Sequence, residues 1–295
     1  VGTGGIIGMN ESEKSLTCLV NGAFVGRQVS AGNSTAAGED GQTNRFAGGI
    51  IGNQNTSTRN DWTIEKCINF GTVYCYRSHY SGGIIGQWTG SGGHIENCQN
   101  YGNLQTTFKT DWVGASGGIV AQLYHAYENN EYNITGCGNF GNIYGQTGDR
   151  AENCANDSAG ILGNVTTYEV NDADKAQRFT IRVLDCVNGP GVKIYSGSMA
   201  SGIVGFLSAD NVEKISNQQT AADTVARCTA NVKVQIERCQ NYAGDLSGAS
   251  FVSGIFGDRY GKTGCGNLTV TNCYSVNNGH NNPIYSFEGI IGDSN

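Results

Sequence analysis

The stretch IENCQNYGNL at Ile95–Leu104 recurs as IEKCINFGTV at Ile64–Val73 and as ITGCGNFGNI at Ile134–Ile143, and its recurrence decides the fold. Looser copies follow as VLDCVNGPGV from Val183, IERCQNYAGDL from Ile236 and VTNCYS from Val270, while Cys18 with Asn21 reads as a degenerate first copy. Between these copies stands a second element. It reads GGIIG at Gly4–Gly8, Gly48–Gly52 and Gly82–Gly86, GGIVA at Gly117–Ala121, and AGILG at Ala159–Gly163. It then reads SGIVG at Ser201–Gly205, SGIFG at Ser253–Gly257 and EGIIG at Glu288–Gly292.

The motif cysteines Cys67, Cys98, Cys137, Cys186, Cys239 and Cys273 are 31, 39, 49, 53 and 34 residues apart. A unit of about 31 residues with short apolar segments broken by Gly and Asn cannot bury a core alone, so it must stack on its own copies. The segments are four or five residues long and rich in Ile and Val, which suits strands and is too short for the amphipathic helices of helical repeats. The expected fold is therefore all-β: a right-handed parallel β-helix (β-solenoid) of about seven to eight coils with loop insertions, forming one domain over residues 1–295. Each coil rises about 4.8 Å.

Stacking gives the repeated residues physical roles. The six motif cysteines are expected to form an interior column of small apolar thiols, mostly reduced, because neighbouring Cβ vectors run parallel and suit a disulfide poorly. Cys265 with Cys273, or Cys228 with Cys239, are the pairs close enough in sequence for a local disulfide. Asn69, Asn100, Asn139, Asn188 and Asn241 are expected to form an amide ladder that caps a tight turn and accepts a left-handed conformation. Phe70, Tyr101, Phe140 and Tyr242 would stack beside it, with Gly71, Gly102 and Gly141 supplying positive φ or close approach between coils.

The composition agrees. Gly accounts for 45 of 295 residues and charged residues for only 15%, which is no helical composition, while 38% apolar residues suffice for a core. The net charge is −7 with Lys and Arg scattered, so nucleic acid and anionic membrane are excluded as expected partners. No apolar run is long enough for a membrane-spanning helix. The chain opens three residues before one GGIIG element and stops three residues after the last copy, and it is expected to be a piece of a longer polypeptide.

Together, the G-[GAS]-I-apolar-G element and the I-x-x-C-x-N-[FY]-G element resemble the GLUG-type repeats of large bacterial cell-surface proteins, including the immunoglobulin A-specific metallopeptidase group. The resemblance covers nearly the whole chain. It implies an exported or cell-surface β-solenoid region and no particular activity. The HExxH zinc helix of the metallopeptidases is absent, so no catalytic residue carries over.

Two groups of residues are candidates for chemistry. Insertions over 164–179 and 206–234 fall at the same edge of consecutive units, and the second is expected to hold a short helix over 211–228. They bring together Glu169, Asp172, Asp174, Asp210 and Glu213. Asp172, Asp174 and Asp210 are the candidate catalytic residues of a polysaccharide lyase or glycoside hydrolase, and the same carboxylates would be the ligands of a Ca²⁺ ion. The other group is aromatic: Trp62 and Tyr132 hold equivalent positions two coils apart, and with Trp88 and Trp112 they are the candidate glycan-binding residues. The histidines have no ligand at metal-binding spacing, so no metal site is expected from them. The leading expectation is a non-catalytic, extracellular module acting as a rigid stalk or adhesive surface for polysaccharide or host-surface glycan. The alternative is a carbohydrate-active enzyme at the acidic insertions.

Overall fold

A computed structural model describes residues 2–11, 15–22, 29–31, 46–56, 62–76, 80–107, 114–126, 130–145, 156–166, 179–208, 232–248, 251–260 and 267–276. Every element among them is a strand, and every strand pairing is parallel. The third coil illustrates the plan, with strands Tyr80–Gly82, Ile85–Gly90, Gly93–Glu96, Gln99–Asn100 and Leu104–Thr107. Each pairs with its counterpart one coil away, which builds five sheets, here named A to E in that order. Sheets A to D have seven strands and sheet E has six, so the described residues form seven coils of a β-solenoid. The insertions 167–178 and 209–231 both interrupt the passage from sheet B to sheet C, so they leave the same edge. Their interiors, including the expected helix over 211–228, lie outside the described residues.

Two apolar columns fill the interior. The larger joins sheets B and C and contains Ile50, Ile84, Ile119, Ile161, Ile203 and Ile255, the first Ile of the G-I element in coils two to seven. The smaller joins sheets E and A through Val73, Leu104, Ile143 and Ile194 against Ala47, Ala200 and Val252. At roughly 1.5–3 kcal/mol for each large side chain buried, this repeated interior is the main force holding coil on coil.

Between the two columns runs the amide ladder. Nδ2 of Asn21, Asn69, Asn100, Asn139 and Asn188 each donates to Oδ1 of the next ladder Asn at 2.8–2.9 Å, ending at Asn241. The same nitrogens of Asn69, Asn100 and Asn139 donate to the carbonyls of Gly71, Gly102 and Gly141. These amides are fully buried, so each needs its partners. They also link the two sequence elements. A Cβ on Gly49, Gly83, Gly118, Gly160 or Gly202, the second residue of the G-I element, would overlap the amide of Asn69, Asn100, Asn139, Asn188 or Asn241. That position is Gly in all eight copies, whereas the first varies among Gly, Ala, Ser and Glu.

The left-handed turn lies elsewhere than expected. The ladder Asn residues are in strands, and the positive φ belongs to the residue before each ladder Cys: Lys66 (53°), Asn97 (54°), Gly136 (64°), Asp185 (55°), Arg238 (54°) and Asn272 (54°). This bend turns the chain from sheet C into sheet D. The buried amides instead need an extended strand that aims them inward. None of Gly71, Gly102 and Gly141 has a positive φ, and the latter two serve close approach: a Cβ on Gly102 or Gly141 would strike the carbonyl of Gly71 or Gly102.

The first coil is the degenerate copy that Cys18 with Asn21 suggested, and the register shows how it departs. Leu16 and Thr17 align with Ile64 and Glu65, and Val20 and Asn21 with Ile68 and Asn69. Cys18 therefore stands at the Lys66 position, with φ of 57°, and Leu19 takes the thiol's place. Ile68 N donates to Leu19 O just as Gln99 N donates to Cys67 O. Cys67, Cys98, Cys137, Cys186 and Cys239 are buried, Cys273 is half-buried and Cys18 is exposed, and all seven are free thiols. The local disulfides 265–273 and 228–239 are thus ruled out, because Cys273 and Cys239 belong to the interior column.

Candidate functional site

Three of the four aromatic residues expected to bind glycan are in the core. Trp62, Trp88 and Tyr132 are at most 1% exposed. Trp62 and Tyr132 do share one position of sheet C, two coils apart, and Gly93 holds that position between them. A Cβ on Gly93 would overlap the Trp62 ring. The room is taken by Trp88, which enters from sheet B with its ring 4.8 Å from Trp62 and 5.1 Å from Tyr132. Phe179 continues the column 6.0 Å beyond Tyr132. The Trp88 indole donates to Ser91 O, and the Tyr132 hydroxyl donates to Gly90 O. The physical reason is alternation: Trp62 and Tyr132 lie two residues before the inward Ile64 and Ile134, hence on the same inner face. These three side chains offer no surface to a sugar. Tyr132→Phe is expected to cost about 1–2 kcal/mol through the orphaned carbonyl, read by urea unfolding, and to leave glycan retention unchanged. Trp112, Asp172, Asp174 and Asp210 lie outside the described residues, as do Glu169 and Glu213.

Another aromatic surface is exposed, and the same alternation creates it. In N-[FY]-G-x-apolar-x, the ladder Asn points inward and the next residue therefore points out. After the Gly turn, Val73, Leu104, Ile143 and Ile194 point inward in sheet E, which sends Tyr74, Gln105, Tyr144 and Tyr195 outward in register. At the corner between sheets D and E, Phe70, Tyr101 and Phe140 are 52%, 43% and 36% exposed. Their rings stack at 5.1 and 4.9 Å with interplanar angles of 13° and 15°. The row stops at Gly189, over which the Phe140 ring lies. Tyr242 resumes one coil later and pairs with Tyr274 at 5.8 Å.

Hydrogen bonds hold this surface in place. The Tyr101 hydroxyl donates to Gln99 Oε1 at 2.8 Å and the Tyr195 hydroxyl to Asp245 Oδ2 at 2.7 Å. The Asp245 carboxylate also holds the Tyr195 phenol above its ordinary pKa, because it stabilises the protonated form. An outer amide pair braces the corner, with Asn142 N donating to Asn103 Oδ1 and Lys193 N to Asn142 Oδ1. Tyr144 and Tyr195 lie 5.8 Å apart at 46°. The result is a strip of aromatic rings, hydroxyls and amides over coils two to five, of which only the corner rings follow from the repeat pattern of the sequence.

The other polar groups are less suited to chemistry. On sheet C, Arg182 bonds Glu131, Gln235 and Asn133, and its guanidinium lowers the Glu131 pKa. Arg238 grips Asp185 through two nitrogens and lowers its pKa as well. Such exposed pairs contribute at most about 1 kcal/mol each. A buried run of amides, not anticipated from sequence, passes from Gln87 to Gln122 to Thr166 to Asn164 and ends on the buried carboxylate Asp157. Among the described residues no group of three or more His, Cys, Asp or Glu is placed to hold a metal ion.

No family model matches the chain, and neither a curated protein nor a solved structure shows a significant match to it.

Proposed function

We propose that this β-solenoid is a non-catalytic binding module, a GLUG-type repeat region of an exported bacterial surface protein that holds glycan on its outer aromatic strip. The observation that carries the reading is the strip itself. Phe70, Tyr101 and Phe140 at the corner, with Tyr74, Gln105, Tyr144 and Tyr195 on sheet E, expose aromatic and amide groups on a parallel sheet that cannot easily deform. Large rings held without entropy loss, beside amides that bond hydroxyls, are what recognition of an uncharged sugar needs. The net charge of −7 argues against polyanionic glycans as the preferred ligand.

The test is retention of the chain on a panel of plant, bacterial and host polysaccharides, with soluble products followed in the same tubes. Retention without products is expected, and it should fall at least tenfold in the triple variant Tyr74→Ala, Tyr144→Ala, Tyr195→Ala, whose substitutions all face outward. Retention that is equal in this variant sinks the assignment. Release of products that is lost on changing Asp172, Asp174 and Asp210 would replace the binding module by the carbohydrate-active enzyme.

A further inference from the structure

The interior thiol column is unused by the glycan reading, and its geometry is regular. From Cys98 onward each sulfur lies against two carbonyl oxygens, one two residues back in its own coil and one in the coil before, and Cys67 keeps the first of these, to Glu65. For Cys98 these are Glu96 at 3.4 Å and Ile64 at 3.5 Å, for Cys137 Thr135 at 3.4 Å and Ile95 at 3.6 Å. Cys186 repeats the pattern with Leu184 and Ile134, Cys239 with Glu237 and Val183, and Cys273 with Thr271 and Ile236. The same contacts in five successive coils mean the same rotamer. Successive sulfurs are therefore displaced by one strand spacing, about 4.8 Å along the axis, with their Cβ–Sγ bonds directed across it. Two thiolate–metal bonds of about 2.3 Å placed end to end span about 4.6 Å.

The geometry points to the thiol column as a site for a thiophilic divalent ion that accepts two thiolates in a line, Hg(II), seated between consecutive sulfurs. Binding breaks two S–H bonds and forms two S–Hg bonds, and two protons leave to solvent without any change of oxidation state. Two thiolates cancel the charge of a divalent ion, so the dry column acquires no net charge. A monovalent soft ion would leave an uncompensated negative charge in the core, which is costly. Zn(II) needs four ligands, which no pair of rungs supplies. Each thiolate serves one ion, so the six sulfurs from Cys67 to Cys273 take at most three. Loading begins at the half-buried Cys273 or during refolding.

The experiment uses the full chain with Cys18, Cys75, Cys154, Cys228 and Cys265 changed to Ser, refolded with HgCl2 and washed with a tenfold excess of glutathione. Two or three retained ions are expected, each with two sulfur neighbours by X-ray absorption, undisplaced by excess Zn(II). The thermal midpoint should rise, because the ion binds the folded chain in preference to the unfolded one. Loss of the ion to glutathione, one sulfur per ion, or a falling midpoint with loss of the strand signal in circular dichroism would overturn the assignment. Should the five-fold variant not fold, Cys98→Ala with Cys186→Ala in the otherwise unchanged chain leaves Cys239 and Cys273 as the one adjacent pair of the column, so at most one column ion is retained, and an unchanged number refutes the column as the site.

Discussion

Gly118→Ala is expected to destabilise the solenoid by more than about 4 kcal/mol, in the range reserved for a broken core contact, whereas Gly117→Ala beside it should be far milder. A Cβ on Gly118 would overlap the Gly160 carbonyl and the Asn139 amide. Neither can retreat. The carbonyl belongs to the next coil's backbone, and Asn139 is held by Asn100, Asn188 and the Gly141 carbonyl. Moving Asn139 would leave buried donors and acceptors unpaired along the ladder, at about 1–3 kcal/mol for each. A Cβ on Gly117 would also overlap backbone, at the Val120 carbonyl, but the chain itself carries Ala159, Ser201 and Ser253 at the equivalent place, so the backbone there can shift to admit a side chain without disturbing the ladder. Urea unfolding of the two variants decides the matter, and equal losses would mean that the ladder amide does not set the glycine requirement.

Raising the pH from 7.0 to 9.5 is expected to remove about 5.6 kcal/mol of stability through the thiol column. The Cys137 and Cys186 thiols are pushed up by burial, and those of Cys67 and Cys98 by the neighbouring thiol and then by burial. Folding thus holds these protons, while an unfolded thiol releases its own near pH 8.5. The unfolded state binds fewer protons above that value, so stability is complete at neutral pH and falls as pH rises. At pH 9.5 the linkage amounts to about 1.4 kcal/mol for each of the four thiols. Cys137→Ala should shrink the loss by one such share. Chemical denaturation at the two pH values measures it directly, and a chain equally stable at both would show that the thiols ionise in place.

Much of this was readable from the residues. The G-I element and the C-x-N element recur in the same order, and Ile64, Ile95 and Ile134 stand three residues before Cys67, Cys98 and Cys137. Recurrence at that regularity forces like residues into contact, which is why the thiol column and the amide ladder could be anticipated. Trp62 and Tyr132 were also within reach of the same logic. Counting by two from Ile64 and Ile134 sends both rings inward, and Gly93 at the matching position of the intervening coil marks a space filled by something else. The left-handed residue was harder, since Lys66 and Arg238 occupy it and neither side chain advertises a positive φ.

By itself the sequence determined the parallel stacking, the coil count and the inward columns, because a short unit repeated with the same apolar residues has one way to bury them. Tertiary structure alone decided that Trp88 crosses from sheet B to complete the aromatic core. It also decided that Cys18 falls one position short of the thiol column and that Asn139 packs on Gly118. The aromatic and amide contacts join different sheets, with Trp88 reaching Trp62 and Tyr132 of the coils on either side, and their meeting depends on how the five sheets are set against one another.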